Sequence, residues 1–193
     1  GIFEEKAGSF CAWLVNNGAV INDKVYLAEV EGMGTGMLAK DNIEKGEVLF
    51  TIPKNLLLTR YLNPSVKSNI KNVQWNQLIW NIIIEMRKKD SFFAPYFHLL
   101  PLDINTARSW SDGDKEWLRG SDIYDDICDF NPIEDFMKAS KKLINDASLQ
   151  IEAPSHKEFY FAADFISSYS FTEPDSGEVM MIPMADMLNH SHA

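Results

Sequence analysis

Asp186, Asn189, His190, Ser191 and His192 crowd into one short stretch near the end of a 193-residue sequence, and no other stretch is as well equipped for chemistry. A carboxylate and two imidazoles at this spacing are lone-pair donors of the kind that hold zinc. A metal site needs a further ligand cluster, however, and His98 and His156 stand alone while Cys11 and Cys128 lie far apart, outside any Cys-x-x-Cys spacing. The cluster therefore reads as a hydrogen-bonding group, with a buried, hydrogen-bonded imidazole as the plain reading of His190, and no metal is expected. The second suggestive stretch is Gly32-Met33-Gly34-Thr35-Gly36. A dinucleotide loop of glycines must open a helix whose N-terminus faces the pyrophosphate. Here Met37 holds the sixth position and strand-like sequence follows, and no Lys-Ser or Lys-Thr pair makes the stretch a P-loop. What remains is a tight turn whose backbone, bare of side chains at Gly34 and Gly36, could approach a flat ligand closely. No Gly-x-Ser-x-Gly elbow of a hydrolase occurs.

The elements that must position these residues alternate in character. Residues 9–15 have helical spacing, with Phe10, Trp13 and Leu14 on one side, and Asn16-Asn17-Gly18 stops them. Residues 25–30 read as a strand, the glycine turn follows, and residues 37–39 and 48–52 read as short strands around the Glu44-Lys45-Gly46 turn. Pro53 closes this strand-rich block. Beyond it Trp75, Ile79, Ile82, Ile83 and Met86 recur at helical intervals and predict an amphipathic helix over 74–89, with Arg87, Lys88 and Lys89 complementing the dipole of its last turn. Residues 112–120 and 132–152 also read as helices, the latter opening on Pro132. Another is expected from Ser155, an N-cap with Glu158 three residues on, to about residue 168. An apolar strand over 179–183 leads into the polar cluster. The pattern is α+β: residues 60–155 form a helical insertion between a strand-rich first part, 1–59, and a final part, 156–193.

Composition narrows the chemistry further. With 46% hydrophobic and 12% aromatic residues the chain can bury a substantial core. The net charge of −10, from 28 acidic against 18 basic residues, disfavours direct contact with nucleic acid and suits a basic partner such as a lysine-bearing segment. The strongest apolar run, 78–84, is short and interrupted by Asn81, so no membrane partner is expected. Two separated cysteines read as thiols in a reducing compartment, the nucleus or the cytoplasm.

The ordered set of motifs carries a resemblance. Gly34-Thr35-Gly36-Met37-Leu38-Ala39, Lys45-Gly46-Glu47-Val48-Leu49-Phe50-Thr51-Ile52-Pro53, Ser91-Phe92-Phe93-Ala94-Pro95-Tyr96-Phe97 and Ile182-Pro183-Met184-Ala185-Asp186-Met187-Leu188-Asn189-His190-Ser191 span most of the chain. Together they resemble the split-SET protein-lysine methyltransferases, the class typified by the Rubisco large-subunit enzyme, in which a helical insertion divides a β-rich, pseudoknotted SET domain. Ser168-Tyr169-Ser170-Phe171 stands where many relatives carry Ser-Arg-x-Phe. This departure removes an arginine clamp and resembles the eukaryotic monomethylase branch acting on ribosomal proteins and nuclear factors. The resemblance implies S-adenosylmethionine as cofactor and a protein lysine as substrate. It implies that Met33, Gly34, Thr35, Tyr169, Asn189 and His190 contact the cofactor, and that Trp75, Ser170, Thr172 and Asp186 line the substrate side. Core packing is an equal reading for Trp75, and bracing of a turn for Asp186. The family's catalytic tyrosine follows the Asn-His motif, so it is expected beyond Ala193, together with a helical substrate-binding domain, and the segment alone is expected to be inactive. A non-catalytic SET scaffold and methylation of another side chain such as histidine are the alternatives.

Overall fold

The computed structural model describes residues 1–70, 73–101, 103–128 and 132–190. It opens with α1 (Ile2–Asn16), which buries Ala7, Phe10, Trp13 and Leu14. The helix starts seven residues before the predicted position 9, because the polar Glu4-Glu5-Lys6 run forms its exposed first turn rather than a lead-in. Acidic residues there also suit the positive end of the helix dipole. Two antiparallel pairs follow, the second enclosed in sequence by the first. Strands β1 (Val20–Ile21) and β4 (Phe50–Thr51) pair antiparallel, as do β2 (Val25–Val30) and β3 (Gly34–Ala39). The glycine stretch is thus partly strand: Val30 pairs with Gly34 and Ala28 with Gly36, and Gly32 and Gly34 take φ of 74° and 72° to turn the chain. The strand expected over 48–52 shrinks to Phe50–Thr51, since Val48 is exposed and Leu49 spends its carbonyl on Asn22.

Helices α2 (Pro64–Asn69), α3 (Gln74–Arg87), α4 (Ala94–Leu99), α5 (Asp112–Lys115), α6 (Asp122–Cys128), α7 (Pro132–Ile144) and α8 (His156–Tyr169) come next. Sequence-local signals account for several of their ends. Asn63 caps α2 by accepting from the Ser65 backbone N–H at 3.0 Å, ahead of Pro64 at the first position. Ser155 and Glu158 form the reciprocal capping box expected of α8. The helix foreseen over 132–152 stops at Ile144: Asn145, Asp146 and Ser148 prefer a turn, in which Asp146 Oδ1 accepts from the Ser148 backbone N–H at 3.0 Å. The stretch 112–120 breaks into α5 and a 3-10 turn over Glu116–Leu118.

The core runs through this helical block. Trp80 stacks on Phe136 with centroids 5.4 Å apart, and Phe136 meets Phe159 at 4.9 Å. The buried Trp80 indole N–H donates to Ser140 Oγ at 2.7 Å, so the aromatic body stays dry without stranding its polar tip. Arg87 joins α3 to α8 by donating to both Glu158 oxygens, at 2.7 and 3.0 Å. This pairing pulls the Glu158 carboxyl down to about 2. Beyond α8, β5 (Phe171–Thr172) pairs with β6 (Val179–Met180). Met181 then exchanges backbone hydrogen bonds with Leu58, at 2.9 and 3.1 Å, and Arg60 pairs with Glu178 at 2.6 Å. The last strand is in this way stitched to the chain that precedes the helices. No helix among the described residues is long and apolar enough to cross a membrane.

Candidate cofactor cleft

Gly36 is where the two distant motifs meet. It is buried in β3, and a Cβ there would lie 2.7 Å from Asn189 Nδ2 and 2.8 Å from Val30 Cγ2, closer than real Cβ contacts allow. The bare backbone at Gly36 makes room for the Asn189 side chain rather than for a flat ligand. Asn189 Nδ2 also sits 3.6 Å from Met33 Sδ. At Gly34, by contrast, nothing lies within 4 Å of an added Cβ, so this part of the bend faces open space.

That space is a cleft of about 1020 Å³, large for a small-molecule site, for which about 300–1,000 Å³ is usual. Met33, Gly34, Thr35, Tyr169, Asp186 and Asn189 all line it, together with Glu29, His98, Ser168 and the first turn of α1. Of the residues singled out in the sequence, the structure therefore gathers five of the six assigned to the cofactor and one of the four assigned to substrate. His190 is exposed, which sets aside the buried imidazole, and it does not line the cleft. Ser170 caps the end of α8, and Thr172 is exposed on β5 opposite Val179. Trp75 lines a different groove, of about 460 Å³, with Arg108, Phe136 and Tyr160. His192 lies outside the described residues. Among those residues no group of three His, Cys, Asp or Glu side chains could hold a metal, and Cys11 and Cys128 are both free thiols.

The loop that delivers Asn189 is held unusually. Met184, fully buried, takes φ 76° and ψ −45°, a γ-turn conformation strained for a residue with a side chain. A 3-10 turn over Ala185–Met187 follows. Asp186 anchors it: its Oδ2 accepts a hydrogen bond from the hydroxyl of Tyr96 on α4. Tyr96 is a site residue to which the motifs assign no role. The available signal was a hydroxyl in an otherwise apolar aromatic run, since a buried Tyr must find a polar partner. Burial drives the Asp186 carboxyl up to about 7, while the Tyr96 bond opposes the rise. Burial and then the Asp186 charge push Tyr96 well above the ordinary tyrosine range, and the same two causes raise Tyr169.

Comparison with known proteins places this geometry. No protein-family model matches the chain. N-lysine methyltransferase setd6 of Danio rerio is 31% identical over 221 residues, covering 96% of this chain and 46% of its own length. The Rubisco large-subunit N-methyltransferase of Pisum sativum is 24% identical over 95% of the chain and 39% of its own length. The SET domain of LSMT bound to lysine and AdoHcy superposes with a TM-score of 0.85 at 22% identity, covering 97% of this chain and 44% of that one. The chain has the split SET fold. Its α+β architecture of short strands and interposed helices is that of the SET domain, and the relatives it matches in sequence are named as N-methyltransferases. The chain spans less than half the length of these relatives.

Proposed function

We propose that the protein containing this chain transfers a methyl group from S-adenosylmethionine to a lysine side chain of another protein. The observation that carries the reading is the contact of Asn189 with Gly36 and Met33 on the wall of the cleft. It joins the two motifs that the resemblance assigns to one cofactor. The cleft fits such a molecule in size, in the open backbone at Gly34, and in the amide of Asn189 at its edge. Relatives point the same way: the named matches include N-lysine methyltransferases and a ribosomal lysine N-methyltransferase of Saccharomyces cerevisiae, 26% identical over 97% of this chain.

The residues divide the work as follows. Met33, Gly34 and Thr35 present backbone groups to the adenosyl methionine, Asn189 holds it from the other side, and Tyr169 borders its amino-acid end. The bound donor supplies a methyl group on a positively charged sulfonium. Asp186, Ser170 and Thr172 belong to the approach of the substrate lysine, and Trp75 to the contact with the substrate protein. A lysine amine has an ordinary pKa of about 10.4, so it must lose a proton before attack. Passage along the cleft wall beside Tyr169 would disfavour its charged form by desolvation. Holding amine, methyl and sulfur in line is the rest of the task. The substrate is a soluble protein of the nucleus or cytoplasm in this reading, in keeping with the acidic charge of −10.

The test uses the full-length protein with S-adenosylmethionine and an extract of unmethylated proteins, read by mass spectrometry of the modified residue. A methylated lysine that disappears with Asn189→Ala is the expected result. Transfer to histidine would move the activity to another side chain, and no transfer together with no cofactor binding would overturn the proposal.

A further inference from the structure

Asp186 is an acid built into the cleft wall without a positive charge to answer it. Its Oδ2 has one donor, the Tyr96 hydroxyl, and its Oδ1 is shut off from solvent and has no hydrogen-bond partner among the described residues. The groups packed around it do not neutralise it. Tyr96 on α4 and Tyr169 at the end of α8 are neutral phenols, and no cation enters among the causes of its shift. Across the cleft stand Glu4 and Lys6 of α1, Glu29 of β2, and His98 and Asp103 at and beyond the end of α4. A carboxylate in such a place is stable in two ways: it keeps its proton, or a cation comes into the cleft and the proton leaves.

We propose that Asp186 makes the cleft selective for a positively charged ligand, binding the cation as it gives up its own proton, and so distinguishes the cationic methyl donor from its neutral thioether product. This rests on the cofactor reading above and adds to it a charge requirement. The proton balance is explicit. A cation entering the cleft stabilises the Asp186 carboxylate, and one proton passes to solvent. When the sulfonium becomes a thioether the cation is gone, and the carboxylate takes a proton back, which weakens the hold on the product. The carboxyl, poised at about 7 by burial, is set where this exchange is most responsive. Since cation binding favours the ionised acid, affinity for a cationic ligand rises with pH through that value, whereas affinity for a neutral ligand does not. A one-unit drop in the carboxyl's pKa on binding corresponds to about tenfold in affinity. The lysine ammonium of a substrate has the same chemistry as the sulfonium, and the test separates the two.

The experiment is calorimetric titration of the full-length protein at pH 6, 7 and 8.5 with S-adenosylmethionine, with S-adenosylhomocysteine, and with free L-lysine added to the S-adenosylhomocysteine complex. The preference for methionine-form over homocysteine-form cofactor should grow about fivefold from pH 6 to 8.5, and titrations in buffers of different ionisation heat should show proton release with the sulfonium only. If the cation is the lysine ammonium instead, the growth and the proton release appear in the lysine arm. Asp186→Asn should flatten the dependence while His98 is left intact, which separates the carboxyl from the cleft's imidazole. Tyr96→Phe, lacking the one donor, should move the midpoint to higher pH and serves if Asp186→Asn does not fold. Binding of all three ligands with no pH-dependent preference in the native protein, or the same preference in Asp186→Asn, overturns this inference and leaves the cofactor reading standing. Binding of neither cofactor form at any pH overturns both.

Discussion

The helical block and the cleft wall are held together by different kinds of information. Around α3, α7 and α8 the chain is fixed redundantly: the Trp80, Phe136 and Phe159 rings stack, Ser140 satisfies the indole, Ser155 and Glu158 cap α8, and Arg87 clamps the same Glu158. The cleft wall has short strands, a strained Met184, one hydrogen bond from Tyr96, and an asparagine resting on a glycine far away in sequence. The first region should resist ligand-dependent change and dominate stability; the second should dominate binding and contribute little to stability.

The largest effect expected on this contrast is in the helical block. Trp80→Ala should cost about 3–5 kcal/mol of stability, read by urea unfolding, because it opens a cavity beneath the Phe136 ring. A loss below about 1 kcal/mol would mean that the aromatic stack is not the block's foundation. Next comes the pH dependence of Asp186. Its folded pKa of about 7 lies above the usual carboxyl range, so the folded state binds more protons than the unfolded one between about pH 4 and pH 7. Stability from this group is therefore lost as pH rises through that window. Asp186→Asn should gain about 2 kcal/mol on wild type between pH 5 and pH 8 without ligand, and parallel curves would contradict the buried, uncompensated acid. Gly36→Ala should weaken S-adenosylhomocysteine binding about tenfold, close to 1.4 kcal/mol, by displacing Asn189, with a smaller change in melting temperature. An unchanged affinity would show that Asn189 need not lie on β3. The smallest effect is local: Ser155→Ala should cost about 1 kcal/mol in thermal unfolding and leave binding untouched.

The same contrast explains what could be read in advance. The Ser155–Glu158 capping box and the apolar spacing of α3 are local signals, and the helices they predict are present close to their expected limits. The overrun of the expected 132–152 helix has a local cause too, the Asn145–Ser148 turn, whose residues were visible but were outweighed by periodicity. In the cleft, the glycine bend and the Asn-His segment were legible as motifs, but not what each glycine is for. Gly36 serves a side chain rather than a ligand, and spacing along a chain does not show a contact across it. Tyr96 escaped for the same reason: its partner Asp186 is remote in sequence, so only the packing of α4 against the terminal loop pairs them.

A crystal structure of the full-length protein with S-adenosylhomocysteine tests the central claim most directly. The ligand should lie in the cleft with its atoms against the Met33–Thr35 backbone on one side and the Asn189 amide on the other. Density for it anywhere else, with those two motifs left untouched, would contradict the account.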